Sequence, residues 1–146
     1  MTLCYAYMPM QTKKREKTIL LVDDEQENLR TYEEILVDLD YRVLTRSDGD
    51  TALALLRGGA AVDLIITDYR MPGKNGIEFV LELRRLRPFV PVIMITAYGS
   101  IETYLHSISL GVFEYVHKPI SKEEFERIVH RALHAPKPEN MTEDHP

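Results

Sequence analysis

Five times along this chain, a short run of apolar and β-branched residues gives way to a segment whose apolar residues recur at spacings of three and four. The runs fall at 18–22, 41–45, 62–68, 91–96 and 112–116. Each is shorter than a typical helix, rich in Val, Ile, Leu and Thr, and bounded by turn-forming or charged residues, which makes it a strand. The intervening segments carry Leu29, Tyr32, Leu36 and Leu39, then Ala52, Leu53 and Leu56, then Ile77, Val80, Leu81 and Leu83. Ile101, Tyr104, Leu105 and Ile108 follow, and finally Phe125, Ile128, Val129, Ala132 and Leu133. These spacings give each helix an apolar stripe. No hairpin signal separates the strands, and parallel neighbours need crossover connections. The pattern therefore specifies an α/β fold, a doubly wound five-stranded parallel sheet with helices on both faces and right-handed crossovers.

Cap residues mark the helix ends. Asp24 with Glu27 reads as a capping pair for the first helix, Asp48-Gly49 opens the second, Asn75 caps the third, Ser100 precedes the fourth, and Ser121 with Glu124 forms a capping box for the fifth. Gly58-Gly59 and Gly111 end helices, and Pro88 prevents extension of the third. The 41–45 run is the most polar of the five, so it belongs nearer an edge of the sheet. Residues 1–17 lack periodicity and read as a flexible leader, 18–135 as one globular domain, and 136–146 as a disordered tail.

Composition narrows the function classes. A chain of 146 residues that is 45% hydrophobic suits one domain with a sizeable core and leaves no room for a second. Its formal net charge of -5 gives no electrostatic footprint for direct nucleic-acid binding. The single cysteine, Cys4, excludes an internal disulfide and a thiolate metal cage, which favours a reducing compartment. The basic run from Lys13 to Lys17 reads as a solvated charge cluster. No signal-peptide pattern appears, and no apolar run approaches the roughly 20 residues that span a bilayer. These features lead us to expect a soluble, cytoplasmic protein that does not enter a membrane.

The chemistry concentrates where strands stop. In parallel sheets, the loops at the carboxyl ends of the strands form the ligand crevice. Here those ends carry Asp23 and Asp24, Asp68, Thr96, and Lys118 followed by Pro119. Three carboxylates brought close together repel one another unless a cation relieves them. An all-oxygen donor set with positions left for water and phosphate suits Mg²⁺. Asp68, delivered by a buried strand to a Pro-Gly loop, is the candidate nucleophile toward phosphorus. Lys118 would neutralise charge on the transferring oxygens, Thr96 would donate a hydroxyl to them, and Ala97 leaves room for the group to enter. The Lys118-Pro119 bond is a candidate for the cis form, which would turn Lys118 into the crevice. Read singly, Asp23 and Asp24 pass for helix caps, Lys118 for a surface lysine and Thr96 for a strand terminator. Joint placement at successive strand ends is what sets them apart. His130 and His134 have the spacing of a metal pair, but with no third ligand in the sequence pattern they read as a solvated face.

Leu21-Val22-Asp23-Asp24-Glu25, Thr67-Asp68-Tyr69-Arg70-Met71-Pro72-Gly73, Ile95-Thr96-Ala97 and Tyr115-Val116-His117-Lys118-Pro119 occur in this order, and together they resemble the receiver domain of bacterial two-component response regulators over roughly residues 17–135. The stretch from Thr96 to Thr103 is similar to receivers that precede an ATPase in transcriptional activators. The resemblance implies the flavodoxin-like strand order 2-1-3-4-5. It also implies that Asp68 accepts a phosphoryl group from a phosphohistidine on a sensor histidine kinase or phosphotransfer protein. In that family pattern Asp24 holds Mg²⁺ directly, Asp23 through water, and Asp68 and the backbone carbonyl of Arg70 complete the protein ligands. Thr96 and Lys118 contact the phosphoryl oxygens, Thr96 and Tyr115 form the switch, and the side chains of Arg70 and Tyr98 tune the lifetime of the acyl phosphate. The readout is the surface of the fourth helix, fifth strand and fifth helix, which is also a candidate homodimer face.

Two other function classes compete. A phosphohydrolase of the haloacid dehalogenase type also uses an aspartyl-phosphate with Mg²⁺, but it wants its two acids two residues apart after the first strand, whereas Asp23 and Asp24 are adjacent. A receiver-like module that signals by dimerisation without phosphate would not need the full set of strand-end residues. The sequence thus favours a signalling phosphoacceptor over an enzyme with a separate substrate.

Overall fold

Alternate residues of each strand must point to opposite faces of a sheet, and here both faces are apolar. The computed structural model describes residues 16–136. The expected leader, including Cys4 and most of the basic run, falls outside them except for its last two residues, as does all of the expected tail but Pro136. Five strands, β1 (Thr18–Val22), β2 (Arg42–Arg46), β3 (Leu64–Thr67), β4 (Val92–Thr96) and β5 (Glu114–His117), alternate with five helices. These are α1 (Gln26–Asp38), α2 (Gly49–Arg57), α3 (Gly76–Leu86), α4 (Ile101–Ser109) and α5 (Lys122–His134). All pairings are parallel and the strand order is β2-β1-β3-β4-β5. The α/β class, the order and the edge position of β2 agree with the sequence reading.

The two-residue period of the strands divides the core into two layers. Leu20, Val22, Ile65, Val92 and Met94 pack with Ala52, Leu53 and Leu56 of α2 and with Phe79, Val80 and Leu83 of α3. Ile19, Leu21, Leu64, Ile66, Ile93 and Ile95 pack on the other face with Leu29 and Leu36 of α1 and Phe125, Ile128 and Val129 of α5. Burying a side chain of this size contributes roughly 1.5–3 kcal/mol, so both layers are needed to offset the entropy of ordering the chain.

Several local expectations need correction. Asp24 and Glu27 do not form the capping pair: the cap position of α1 is Glu25, whose side chain makes no cap bond. The Asp23 carboxylate instead accepts from the Glu25 N–H at 2.9 Å, because a residue two positions ahead of the first free amides can reach them from the strand end. Ser121 accepts from the Glu124 N–H at 3.1 Å, but the reciprocal half of the box is not made. Asn75 and Glu78 do form the full box. Leu81 is not on the buried face of α3; it is 49% exposed, and Phe79 takes its place in the core. Strand β5 starts at Glu114 and not at residue 112, because the Val112 N–H closes the end of α4 by bonding to the Ser107 carbonyl. Gly111 supports that closure with φ of +73°, the left-handed conformation that glycine adopts without strain.

Helix α4 forms where its spacing predicts, but its apolar stripe faces outward. Ile101, Tyr104, Leu105 and Ile108 are all exposed, Ile101 to 80%, and Ser107 is the buried residue of the helix. A helix turned this way presents an apolar surface of the kind that partners cover.

Candidate functional site

The register of the central strands assembles the site. Val22 of β1 pairs with Thr67 of β3, so the next residues, Asp23 and Asp68, leave the sheet side by side. The Asp68 N–H still bonds to the Val22 carbonyl at 3.1 Å, which carries the parallel pairing one residue past the strand end. On the other side, Thr96 of β4 pairs with His117 of β5, and the Lys118 N–H bonds to the Thr96 carbonyl at 2.9 Å. The Lys118-Pro119 bond is cis, the form the sequence marked as a candidate.

From these positions Lys118 reaches back across the mouth of the sheet. Its Nζ lies 2.9 Å from Asp68 Oδ2 and 3.4 Å from Asp23 Oδ2. Asp23 and Asp68 are 5% and 7% exposed, so this is a nearly buried cluster of two carboxylates and one ammonium. Asp24 stands next to it, exposed to solvent. Asp68 Oδ1 accepts from the Arg70 N–H at 3.2 Å, which fixes the carboxylate plane. Asn28, on the first turn of α1, donates to Asp23 Oδ2 at 3.3 Å.

Burial raises the Asp23 carboxyl above its ordinary value, and the Asp68 charge adds to this; the Glu25 N–H, Lys118 and Asn28 oppose it without cancelling it. Burial alone would lower the Lys118 ammonium, but its bond to Asp68 and the charges of Asp23 and Asp68 outweigh that and raise it. The two directions are consistent. One cation serves two buried acids, so the lysine is over-supplied with negative charge and Asp23 is under-compensated.

That imbalance gives an expected outcome. Asp23 binds its proton more tightly folded than unfolded, so its contribution to stability is present at low pH and is lost as pH rises through the raised folded value. At neutral pH the ionised carboxylate is a cost. Asp23→Asn should therefore raise stability in the presence of chelator at pH 7, read as a higher thermal midpoint than wild type. The gain should vanish below the ordinary aspartate range. Thermal unfolding across that pH range checks it, and a variant less stable than wild type at pH 7 would refute the account.

Thr96 is fully buried at the end of β4, and its hydroxyl accepts from the Tyr98 N–H at 3.1 Å. Arg70 and Tyr98, from the loops after β3 and β4, meet each other: the guanidinium carbon sits 4.2 Å from the centroid of the tyrosine ring. Tyr115 is half-buried on β5, and its hydroxyl lies 2.9 Å from Thr103 Oγ1 on α4. The structure thus joins Asp23, Asp68 and Lys118 directly and places Thr96 and Tyr115 on the strands β4 and β5, with Arg70 and Tyr98 on the loops after β3 and β4. His130 and His134 stack on each other, and the His134 Nδ1 is engaged by the His130 carbonyl at 2.7 Å.

Reading motifs in the sequence missed three contributors. Asn28 steadies Asp23. Gly76 permits the close approach of α3 to the loop after β3: a Cβ there would stand 2.5 Å from the Asp68 carbonyl oxygen and 2.8 Å from Tyr69 Cα. Tyr32, stacked on Phe125 with ring centroids 4.7 Å apart, lines the small cavity behind Asp23 and Asp68. A glycine just after a helix cap was the one visible signal among these. A roomier cavity, about 450 Å³, lies elsewhere, lined by Arg84, Phe89, Val90, Leu110 and Phe113 at the other end of the sheet. The Arg84 guanidinium there is occupied by the carbonyls of Leu110, Gly111 and Val90.

The donor chemistry of the crevice fits a hard divalent cation. Among the described residues, no group of three or more His, Cys, Asp or Glu side chains is placed to hold a metal ion. Mg²⁺ does not require such a group, because it binds through one or two carboxylates and keeps water and phosphate as its other ligands. Excess buried negative charge at Asp23 and Asp68, with Asp24 at the solvent edge, is the observation that supports the fit.

A parallel α/β sheet in the order 2-1-3-4-5, with an acidic pair and a lysine at the strand ends, defines a class of signalling domain. Residues 19–130 match the model of the response regulator receiver domain, and the chain belongs to that family. It is 42% identical over 106 residues to the transcriptional regulatory protein CpxR of Klebsiella pneumoniae, covering 73% of this chain and 44% of that protein. It is 36% identical over 115 residues to the regulatory protein AtoC of Escherichia coli, covering 79% of this chain and 25% of that protein. The chain thus matches less than half the length of these curated relatives. Among solved structures, it superimposes on a CheY-like receiver domain protein from Methanospirillum hungatei with a TM-score of 0.78 at 28% identity, covering 81% of this chain and 94% of that one. The non-phosphorylated HemR receiver domain of Leptospira biflexa gives 0.79 at 28% identity, covering 84% and 98%. The protein is a receiver domain of two-component signalling, a family of normally non-catalytic signalling modules that typically bind Mg²⁺ and imply a histidine kinase partner. Among the described residues, no helix is long and apolar enough to cross a membrane.

Proposed function

We propose that Asp68 is the phosphoacceptor of a signalling switch. The observation that carries this reading is the Lys118 ammonium bonded to Asp68 Oδ2 and near Asp23 Oδ2, across 50 and 95 positions of sequence. An Asp68 carboxylate oxygen attacks the phosphorus of a phosphohistidine on a sensor kinase or phosphotransfer protein. The new O–P bond forms as the P–N bond breaks, and the imidazole leaves with the electron pair. Lys118 neutralises charge on the transferring oxygens, and the Thr96 hydroxyl turns toward them from its bond to Tyr98. Asp24, Asp68 and the Arg70 carbonyl would hold Mg²⁺, with Asp23 acting through water. The bound ion would supply further neutralisation of phosphoryl charge.

Arg70 and Tyr98, stacked on each other on the loops after β3 and β4, would tune how quickly water reaches the acyl phosphate. Loss of the Thr96–Tyr98 bond on phosphorylation would free the β4–α4 loop, and Tyr115 would follow. The readout surface is the α4–β5–α5 face, supported by the outward apolar stripe of α4. A second copy of the chain is a candidate occupant. The setting is the cytoplasm, where a kinase partner would meet it.

The test is intact mass after incubation with acetyl phosphate and Mg²⁺. Wild type should gain one phosphoryl group, and Asp68→Asn or wild type with chelator should gain none. Equal labelling of Asp68→Asn would move the acceptor elsewhere. No labelling of wild type would favour a phosphate-independent dimerisation module.

A further inference from the structure

The first turn of α4 is held by a hydroxyl that is shared with β5. Ser100 caps the helix by accepting from the Thr103 N–H at 3.1 Å, and Thr103 Oγ1 accepts from the Ser100 N–H at 2.9 Å in return. The same Oγ1 lies 2.9 Å from the Ser100 carbonyl and 2.9 Å from the Tyr115 hydroxyl. Tyr115 is thus bonded to the residue that closes the capping box, twelve positions away in sequence. Its ring is gripped edge-on by Tyr104, at 5.7 Å between centroids, and by His117, at 5.5 Å.

Gly99 is shaped to this arrangement. A Cβ at Gly99 would collide with the Tyr115 hydroxyl and with the His117 ring, so only glycine leaves Tyr115 its present position. Both obstacles are side-chain ends, and a methyl at Gly99 would displace them with no change to the backbone they hang from. The rest of α4 adds little restraint, since its apolar stripe is exposed and Ser107 is its buried residue. A helix with so little burial depends on its caps.

We infer that Thr103 and Gly99 are positioning residues that latch Tyr115 to the N-terminus of α4, so that the rotamer of Tyr115 and the closure of the first helical turn are one equilibrium. This rests on the reading of Tyr115 as a switch residue in the proposed function, but the latch itself is a property of the unphosphorylated chain. When Tyr115 leaves, Thr103 loses one of its partners and the capping box loosens. When the box opens, Tyr115 loses its anchor. The exposed stripe that begins at Ile101 then changes its presentation to a partner.

Amide hydrogen exchange followed by NMR, on the whole chain without phosphate donor, tests this. Tyr115→Phe should speed exchange of the Thr103 and Tyr104 amides about fivefold, the ratio expected for one lost hydrogen bond. Gly99→Ala should do the same by displacing the ring. Thr103→Val, which removes both the Tyr115 partner and the acceptor of the Ser100 N–H, should speed that exchange more than Tyr115→Phe does and shift the Tyr115 ring resonances, and adding Tyr115→Phe to it should add nothing further at Tyr104. Thr103→Ser should restore wild-type exchange. Ser100→Ala opens the box from the other side: it should speed the same exchange and shift the Tyr115 ring resonances in the same direction as Thr103→Val, by less because Thr103 Oγ1 keeps its bond to the tyrosine; faster exchange with unmoved ring resonances would also overturn the latch. Unchanged exchange in Tyr115→Phe, or full additivity in the double variant, would overturn the latch. Acetyl phosphate labelling is scored separately on the same samples. Failure of wild type to label would count against the phosphoacceptor reading, while the exchange comparison would still decide the latch.

Discussion

Lys118→Ala is expected to lose labelling by acetyl phosphate about 100-fold, in line with removal of one preorganised charge donor from a transferring group. The side chain does two things that no neighbour replaces. It contacts the acceptor oxygen of Asp68 directly, and it is the ammonium shared by two carboxylates that are each less than a tenth exposed. Removing it leaves those acids facing each other. Stability in chelator should then fall by roughly 1–3 kcal/mol, less than for a fully buried pair because Lys118 is 17% exposed and water can enter. Added Mg²⁺ should recover much of that loss by replacing the missing positive charge, more in the variant than in wild type.

The pH dependence has a definite sign. Lys118 is raised in the folded chain, so its stabilising contribution is complete below the ordinary lysine value and is lost as pH rises through the higher folded value. The stability gap between wild type and Lys118→Ala should hold constant from neutral pH to about 10 and close above that. Labelling rate and chemical denaturation of the two proteins check these points. A variant that labels at the wild-type rate would remove Lys118 from the mechanism.

Gly76→Ala should be the most damaging single methyl in the chain. Its Cβ would meet backbone atoms, the Asp68 carbonyl oxygen and Tyr69 Cα, with Met94 Cε at 3.1 Å closing the remaining side. None of these is a flexible side-chain end apart from the methionine methyl, and the Gly76 N–H is itself bonded to the Tyr69 carbonyl at 2.6 Å. The helix must therefore back away from the loop that presents the acceptor. We expect a loss of about 3 kcal/mol, at the upper end for overpacking, with phosphorylation reduced even in the fraction that folds. Gly59→Ala is the comparison. It meets nothing within 4 Å but sits at φ of +94°, so it should cost only left-handed strain and leave labelling intact. Denaturant unfolding and labelling per folded molecule separate the two, and a Gly76→Ala protein as stable as Gly59→Ala would show that the approach is not constraining.

The apolar runs and helical spacings were enough to specify the five strand–helix units, because backbone period and burial are local properties of the chain. The acids and lysine at the strand ends were equally legible, since a residue that follows a buried strand in a parallel sheet has one place to go. What they would meet there was not. The contact between Lys118 and Asp68 depends on β3 lying between β1 and β4, an ordering that periodicity does not encode and that came only through family resemblance. The outward face of α4 was also beyond the sequence, because a stripe of Ile101, Tyr104, Leu105 and Ile108 has the same spacing whether the sheet or a partner covers it. Gly76, Gly99 and Thr103 gain their meaning only from what stands opposite them in space. Local chemistry set the elements and the reactive groups; long-range packing decided which of them touch, because contact between distant residues depends on how the whole sheet is ordered.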